Sequence, residues 1–307
     1  MRDSCINSLT DLAEKNRKIF LITADLGFGL FDDFMKRCPR QFLNVGIAEQ
    51  NMIGIATGLA LEGRIVFVYS LANFPTLRCL EQIRNDACYH GLNINIISSG
   101  CGLTYGSLGI SHHATEDIGI LRTLPEMTII APGDNWESSQ AVPALALNEG
   151  VGYIRLDRST AGRTEKPGEI FQIGKARRIA DGKDISFLCT GGMLAVGLKA
   201  AEDLKTEGIS CRVVSFHTVK PLDGEEIKSA VKETGGIITL EEHTLHGGFG
   251  SAVAEYCMDS GNIPGKFYRS ALRDGFTCIV GDQDYLRCCY NIDGEAVKLK
   301  ARELVKG

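Results

Sequence analysis

The stretch Asn44-Val-Gly-Ile-Ala-Glu-Gln-Asn-Met-Ile-Gly-Ile-Ala-Thr-Gly-Leu-Ala-Leu-Glu-Gly63 carries more information about the fold than any other part of the chain. Its small and apolar residues predict a closely packed helix from Ala48 to Glu62. A single carboxylate, Glu49, stands at the start of that helix. Burying an unpaired carboxylate costs free energy, so Glu49 must take up a proton or meet a partner group. The helix dipole also favours an acid there, which leaves a purely structural role open.

The composition is that of a globular protein that acts on small molecules. With 307 residues, 44% hydrophobic and 23% charged, the chain has room for about two domains. A net charge of -5 without a basic cluster disfavours nucleic acid and anionic membrane as partners. The first residues form no apolar signal core and no apolar run approaches about 20 residues, so we expect a cytoplasmic protein. Eleven scattered cysteines without a Cys-x-x-Cys pair are expected to be reduced.

Residues 1–165 alternate strand-like apolar runs with amphipathic helical patterns. This alternation predicts a parallel sheet covered by helices on both faces. The predicted strands are Lys18–Thr23, Arg64–Tyr69, Asn93–Ser98, Met127–Ala131 and Gly152–Leu156. The predicted helices, besides the one after Glu49, are Asp3–Lys15, Leu77–His90 and Trp136–Asn148.

Polar, glycine-containing sequence then interrupts the alternation, and we place a linker at residues 166–183. The alternation resumes in residues 184–307. Strands are predicted at Ile185–Thr190, Cys211–Phe216 and Ile237–Glu241, and helices at Met193–Glu207 and Gly224–Glu233. The fold class predicted is therefore α/β, with two domains that each contain a largely parallel sheet flanked by helices.

Several short motifs along the chain share one family resemblance. They are Ala24-Asp-Leu26, Gly46-Ile-Ala-Glu-Gln50, Gln82-Ile-Arg-Asn85, Ser111-His-His-Ala-Thr-Glu-Asp-Ile118, Leu121-Arg-Thr-Leu-Pro-Glu-Met127, Glu241-Glu-His243 and Gly247-Gly-Phe-Gly250. In this order and spacing they resemble the pyrimidine-binding and C-terminal domains of transketolases. The resemblance implies a thiamine-diphosphate-dependent transfer of a two-carbon ketol unit from a ketose donor to an aldose acceptor.

The resemblance also implies which residues meet the cofactor. Glu49 matches the Glu that hydrogen-bonds the aminopyrimidine of thiamine diphosphate and favours its catalytically active tautomer, so it is expected to be both catalytic and cofactor-binding. Phe74 matches an aromatic residue against which the pyrimidine stacks. Asp25 closes the first predicted strand, at the edge of a parallel sheet where ligands usually bind.

Substrate contacts are implied in the same way. His112 matches a family His that contacts substrate oxygens and moves protons; because neighbours on an extended segment face opposite ways, His113 is expected to serve the scaffold. Arg2 and Arg155 match arginines that grip a phosphate, for which the guanidinium fork is suited. Leu108 stands where the family has an Asp that recognises a donor hydroxyl, and Gly100 replaces a His. These two departures predict a different donor sugar.

The family binds diphosphate and Mg2+ through a Gly-Asp-Gly motif, which this chain lacks. The resemblance therefore implies a separate N-terminal transketolase subunit that carries the Mg2+ ligands, an α2β2 heterotetramer, phosphorylated sugar substrates and no metal ligands here. Two alternatives remain open: a beta subunit of a 2-oxo acid dehydrogenase, and a noncatalytic assembly subunit of the same fold. A nicotinamide dehydrogenase is disfavoured, since no predicted strand is followed by Gly-x-Gly-x-x-Gly.

Overall fold

The structure is a computed structural model that describes residues 1–306, and these residues form twelve strands in two sheets. The strands are β1 (Ile19–Thr23), β2 (Phe42–Asn44), β3 (Ile65–Leu71), β4 (Ile94–Ser99), β5 (Met127–Ile130), β6 (Val151–Leu156), β7 (Arg177–Ala180), β8 (Ile185–Cys189), β9 (Cys211–Ser215), β10 (Thr218–Lys220), β11 (Ile237–Thr244) and β12 (Phe267–Leu272). Seven strands form one sheet in the order β10-β5-β6-β4-β3-β1-β2, and five form the other in the order β12-β11-β8-β9-β7.

Eleven α-helical segments of the described chain accompany the strands. They are α1 (Arg2–Lys15), α2 (Asp32–Arg37), α3 (Glu49–Leu61), α4 (Leu80–Gln82), α5 (Asp117–Arg122), α6 (Asn135–Ala146), α7 (Met193–Thr206), α8 (Gly224–Glu233), α9 (Phe249–Ser260), α10 (Gln283–Cys289) and α11 (Gly294–Lys306). The helix predicted over Leu77–His90 is instead the single turn α4 followed by a π-helical segment, Ile83–Cys88. None of the helices in residues 1–306 is long and apolar enough to cross a membrane.

The predicted α/β fold class is confirmed. All neighbouring strands pair in parallel except two antiparallel pairs, β10 with β5 and β7 with β9. Every residue of the central strands β4 and β6 is buried. Strands covered on both faces need apolar side chains at nearly every position, which is why the sequence shows continuous apolar runs instead of alternation.

Two edge strands cross the expected domain organisation. Strand β7 lies within residues 166–183, where a linker was expected, and β10 belongs to the second half of the chain but extends the first sheet. Both strands are short and polar, so neither leaves an apolar pattern. The domain limits 1–165, 166–183 and 184–307 stay a prediction, although the two sheets themselves are distinct.

The first sheet brings the segments of interest to one edge. Parallel strands end at the same edge of a sheet, and ligands usually bind there in open α/β sheets. The chain that follows β1 contains Asp25, the chain that follows β2 leads into α3 at Glu49, and the chain that follows β3 contains Phe74. The loop after β4 runs from Gly100 through His112 to α5.

Candidate active site

Glu49 is the first residue of α3 and its side chain is buried, with 2% of its surface exposed. The turn before it is shaped by Asn44, whose Oδ1 accepts hydrogen bonds from the backbone N–H groups of Asp25 and Gly46, each at 3.0 Å. Gly46 adopts a φ of +75°, which favours glycine. This turn directs the helix start, and with it the carboxylate, towards the carboxyl ends of β1 and β3.

The partner of Glu49 is Arg78, which sequence reasoning missed. Arg78 Nη1 donates to Glu49 Oε2 at 2.6 Å, and Ser70 Oγ lies 3.5 Å from Oε1. The same guanidinium lies over the Phe74 ring, 4.6 Å from its centroid, in a cation–π contact. The Arg78 side chain is 46% exposed, so no burial pattern in the sequence marks it. The buried carboxylate thus has a counter-charge that a competing ligand can reach from solvent.

The structure brings Phe74 and His112 together. Their ring centroids are 5.3 Å apart in an edge-on arrangement, and Tyr105 meets His112 in the same way at 6.4 Å. Phe74 and His112 are both partly exposed. Glu49, Arg78, Phe74 and His112 therefore line one continuous surface that combines an acid, an aromatic face and a titratable ring.

The two adjacent histidines lie in different environments, but not because the chain is extended. His112 ends a short 3-10 helix, Ile110–His112, and the backbone then turns His113 inward. His113 is buried, its Nδ1 pairs with Thr277 Oγ1, and its carbonyl accepts from Asn73 Nδ2 at 3.1 Å. Burial lowers the pKa of His113 below its ordinary value, which favours the neutral ring.

Asp25 lies in a constrained backbone conformation. Its φ is +55°, which is uncommon for a residue other than glycine and marks a position fixed by its surroundings. Asn44 fixes it, because Asn44 Nδ2 donates to Asp25 Oδ1 at 3.0 Å and the Asp25 N–H donates back to Asn44. Asp25 therefore lies at the ligand-binding edge, as expected for its position after β1.

Arg2 and Leu108 are exposed near the same edge. The Arg2 side chain is 50% exposed, with Nε 3.1 Å from Asp3 Oδ1, and lines a cavity of about 440 Å³ together with Gly100, Tyr105 and Arg158. Leu108 is 56% exposed and ends the 3-10 helix Gly106–Leu108. The cavity and the loop share Tyr105, so they adjoin the surface that contains His112.

Arg155 does not lie at this surface. It is 1% exposed; Nε donates to Asp117 at 2.9 Å, and Nη2 donates to the carbonyls of Ala114 and Glu242 at 3.0 and 2.9 Å. Nη1 lies 3.4 Å from Asp157 Oδ2. These neighbouring carboxylates raise its pKa further. With its donors engaged inside the protein, the geometry does not support the phosphate contact expected of Arg155, and the exposed Arg158 is the nearby alternative.

The residues present fit one half of a thiamine diphosphate site. A buried carboxylate beside an exposed aromatic face suits an aminopyrimidine, which needs a partner for its ring nitrogen and a surface for stacking. No cluster of three or more His, Cys, Asp or Glu able to hold a metal ion occurs in residues 1–306. The ligands for the diphosphate and its metal are therefore not assembled within the described residues.

Comparisons with known proteins agree along the whole chain. The transketolase pyrimidine-binding domain model matches residues 1–163 and the transketolase C-terminal domain model matches residues 174–279. The 6-deoxy-6-sulfo-D-fructose transketolase subunit SqwH of Clostridium sp. (strain MSTE9) is 36% identical, covering 100% of this chain and 94% of the relative. One subunit of the apulose-4-phosphate transketolase of Phocaeicola vulgatus is 34% identical, with 99% and 97% covered.

A solved structure described as a split gene transketolase, inactive beta4 tetramer, is similar throughout. It superposes with a TM-score of 0.90 at 35% identity, covering 99% of this chain and 98% of that one. The relatives do not favour a 2-oxo acid dehydrogenase subunit. Matched by both family models and by relatives over its full length, this chain belongs to the transketolase family, as the section that comprises the pyrimidine-binding and C-terminal domains.

Proposed function

We propose that this chain is the C-terminal subunit of a thiamine-diphosphate-dependent transketolase, moving a two-carbon ketol unit from a ketose to an aldose. The observation that carries the proposal is the buried Glu49 at the start of α3, beside the exposed face of Phe74 and the ring of His112. When bound, the cofactor supplies the nucleophilic carbon that holds the two-carbon unit. All other roles belong to residues of this chain and its partner.

Glu49 holds a proton at the pyrimidine ring nitrogen. That nitrogen replaces Arg78 Nη1 as the partner of the Glu49 carboxylate, and the pyrimidine replaces the Arg78 guanidinium on the Phe74 ring. Exchange of one partner for another avoids leaving a buried carboxylate unpaired, which would be costly. Arg78 is exposed enough to swing into solvent. Asp25, held by Asn44, shapes the adjoining edge of the cofactor site.

His112 moves protons at the oxygens of the substrate. Its Nδ1 lies 3.0 Å from Ser111 Oγ, which leaves Nε2 as the ring atom directed to a ligand. A histidine suits this task because its proton affinity lies near neutral pH. The edge-on contacts with Phe74 and Tyr105 fix the plane of the ring.

The acceptor is a sugar that carries an anionic group. Arg2 and Arg158 line one cavity of about 440 Å³, and guanidinium groups bind phosphate through paired hydrogen bonds. The Clostridium relative is described as acting on a sulfonated fructose and the Phocaeicola relative on a sugar phosphate. Leu108 at the donor position makes the preferred ketose differ from one that needs an acidic partner for its hydroxyl.

A separate subunit completes the site. Diphosphate and Mg2+ need ligands that residues 1–306 do not group together, and both relatives are described as transketolase subunits. We infer a partner that carries the family Gly-Asp-Gly motif and supplies these ligands, in an α2β2 assembly. The enzyme functions in the cytoplasm as a carbohydrate-processing transferase.

Calorimetric titration with thiamine diphosphate and Mg2+ tests the proposal. This chain alone, the partner alone and their mixture are titrated, and transferred ketol product is followed in parallel. We expect tight, Mg2+-dependent binding and turnover in the mixture only. Glu255→Gln, which alters an exposed ion pair on α9, is the matched control and should behave as wild type. Tight Mg2+-dependent binding by this chain alone would refute the divided site, and a mixture that binds cofactor without transferring ketol would refute transketolase activity.

A further inference from the structure

The loop that carries Leu108 and His112 is attached to the second half of the chain near its beginning. Glu242 on β11 is 1% exposed, and its Oε1 accepts from the backbone N–H of Leu103 at 2.5 Å. A Cβ on the preceding Gly102 would collide with the Glu242 carboxylate. The loop backbone therefore passes directly against this side chain.

Glu242 is itself held rigidly. Gln283 Nε2 donates to both of its carboxylate oxygens, at 2.8 and 3.1 Å, and Arg287 Nε donates to Oε2 at 2.5 Å. Both partners lie on α10. A buried carboxylate that accepts hydrogen bonds from several fixed donors has little freedom to move, so it provides a firm anchor.

A second attachment lies at the end of the loop. Thr277, in the segment between β12 and α10, pairs through Oγ1 with Nδ1 of His113. Both residues are buried, with 7% and 1% of their surfaces exposed. His113 directly follows His112, so this bond fixes the backbone from which the His112 ring projects.

A close approach between the two attachments completes the support. The N–H of Gly281 lies 3.4 Å from the carbonyl of Gly106, and a Cβ on Gly106 would come within 2.6 Å of the Gly281 carbonyl and collide with Leu286. The φ of Gly106 is not in the left-handed region, so space and not backbone conformation excludes a side chain there. The loop is thus pressed against the segment before α10.

We propose that Glu242 and Thr277 are positioning residues through which the second half of the chain places His112 and Leu108 over the substrate site. Neither residue contacts the cofactor surface formed by Glu49, Phe74 and Arg78. A loop held at both ends in its working geometry binds substrate without a further ordering cost. The inference rests on the proposed function for the role of His112, whereas the attachment of the loop is independent of it.

The test compares Thr277→Val with Thr277→Ser in the assembled enzyme. Valine matches threonine in shape but cannot hydrogen-bond His113, whereas serine keeps the hydroxyl. Hydrogen–deuterium exchange of the 103–113 peptides, calorimetric affinity for thiamine diphosphate, and KM and kcat with hydroxypyruvate are measured. Hydroxypyruvate is the probe because it is a minimal 2-oxo acid that carries a hydroxyacetyl unit.

For Thr277→Val we expect faster exchange in residues 103–113, at least a fivefold rise in KM and an unchanged cofactor affinity, with Thr277→Ser close to wild type. Gly106→Ala, which displaces the same loop without removing a hydrogen bond, should reproduce the valine result. Glu255→Gln is the control, since its ion pair with Arg122 joins the same two halves of the chain away from the loop.

The proposal is overturned if valine and serine variants behave alike, or if cofactor affinity falls in parallel with the rise in KM, because either result indicates a general structural role. If wild-type enzyme does not turn over hydroxypyruvate, the proposed function fails. In that case the exchange data alone decide the attachment: unchanged exchange in Thr277→Val and Gly106→Ala refutes it, and faster exchange supports it.

Discussion

Replacing Arg155 with Met separates a structural role from a phosphate-binding role. The guanidinium bonds Asp117 at 2.9 Å and two carbonyls, of Ala114 and Glu242, within a site that is 1% exposed. Methionine retains the apolar stem but removes every donor. We expect Arg155→Met to destabilise the fold strongly and to leave no specific defect in phosphate recognition.

The magnitude follows from what is left unpaired. Removing one partner of a buried ion pair costs about 3–5 kcal/mol, because the other charge stays buried without compensation. Asp117 is left with the hydroxyl of Tyr153, which donates to its Oδ2 at 2.6 Å, and its Oδ1 has no partner. Each carbonyl that loses its donor adds about 1 kcal/mol or more. The expected loss is therefore about 5 kcal/mol, a large part of the stability of an ordinary domain.

Urea unfolding followed by circular dichroism measures this loss. The matched control is Arg302→Met, because Arg302 pairs with Glu207 at 2.7 Å with the two side chains 31% and 38% exposed, and such pairs contribute about 0–1 kcal/mol. A normal free energy of unfolding for Arg155→Met, combined with a raised KM for a phosphorylated aldose, would refute the structural role and restore the phosphate role.

Three further variants test other parts of the account. Leu108→Asp should raise kcat/KM for xylulose 5-phosphate and fructose 6-phosphate at least about tenfold, by supplying the missing hydrogen-bond acceptor, whereas Leu108→Ala should not; efficient use of either sugar by wild type would contradict this. Arg158→Met should raise the KM for ribose 5-phosphate about tenfold or more, with kcat little changed; an unchanged KM would exclude Arg158 as a phosphate ligand. Burial lowers the pKa of His217 to about 3 from 6.5, so the unfolded state takes up the proton first and stability falls as pH drops below about 6.5. His217→Phe, which can still stack on Phe171, should shrink the stability difference between pH 7 and pH 5 by about 2 kcal/mol; the same difference as in wild type would show that His217 is not the group responsible.

The elements that the sequence could predict are those with a continuous local pattern. The strand predicted over Arg64–Tyr69 is observed at Ile65–Leu71, and the helix predicted over Gly224–Glu233 is observed at those residues. Burial on both faces of a parallel sheet demands runs of apolar residues, and such runs are visible without any tertiary information. Edge strands such as β7 need no such run, because one side of an edge strand faces solvent.

The contacts of the site could not be predicted in the same way. Thr277 and His113 are separated by 164 positions, so no local pattern links them. Arg78 is exposed and differs in no local respect from any surface arginine until the fold brings it to Glu49. Arg155 shows the converse, since its position in a motif suggested a ligand contact, whereas its burial depends on four chain segments meeting in the folded protein.

Exchange of the cofactor C2 proton, followed by NMR in D2O, tests the central assignment of Glu49 most directly. It is measured in the assembled enzyme with wild-type chain and with Glu49→Gln, after calorimetry has shown that both bind thiamine diphosphate. A neutral amide cannot give a proton to the pyrimidine nitrogen, so we predict that Glu49→Gln slows exchange by at least about 100-fold, or roughly 3 kcal/mol in the barrier. Exchange by Glu49→Gln at a rate near that of wild type would contradict the account.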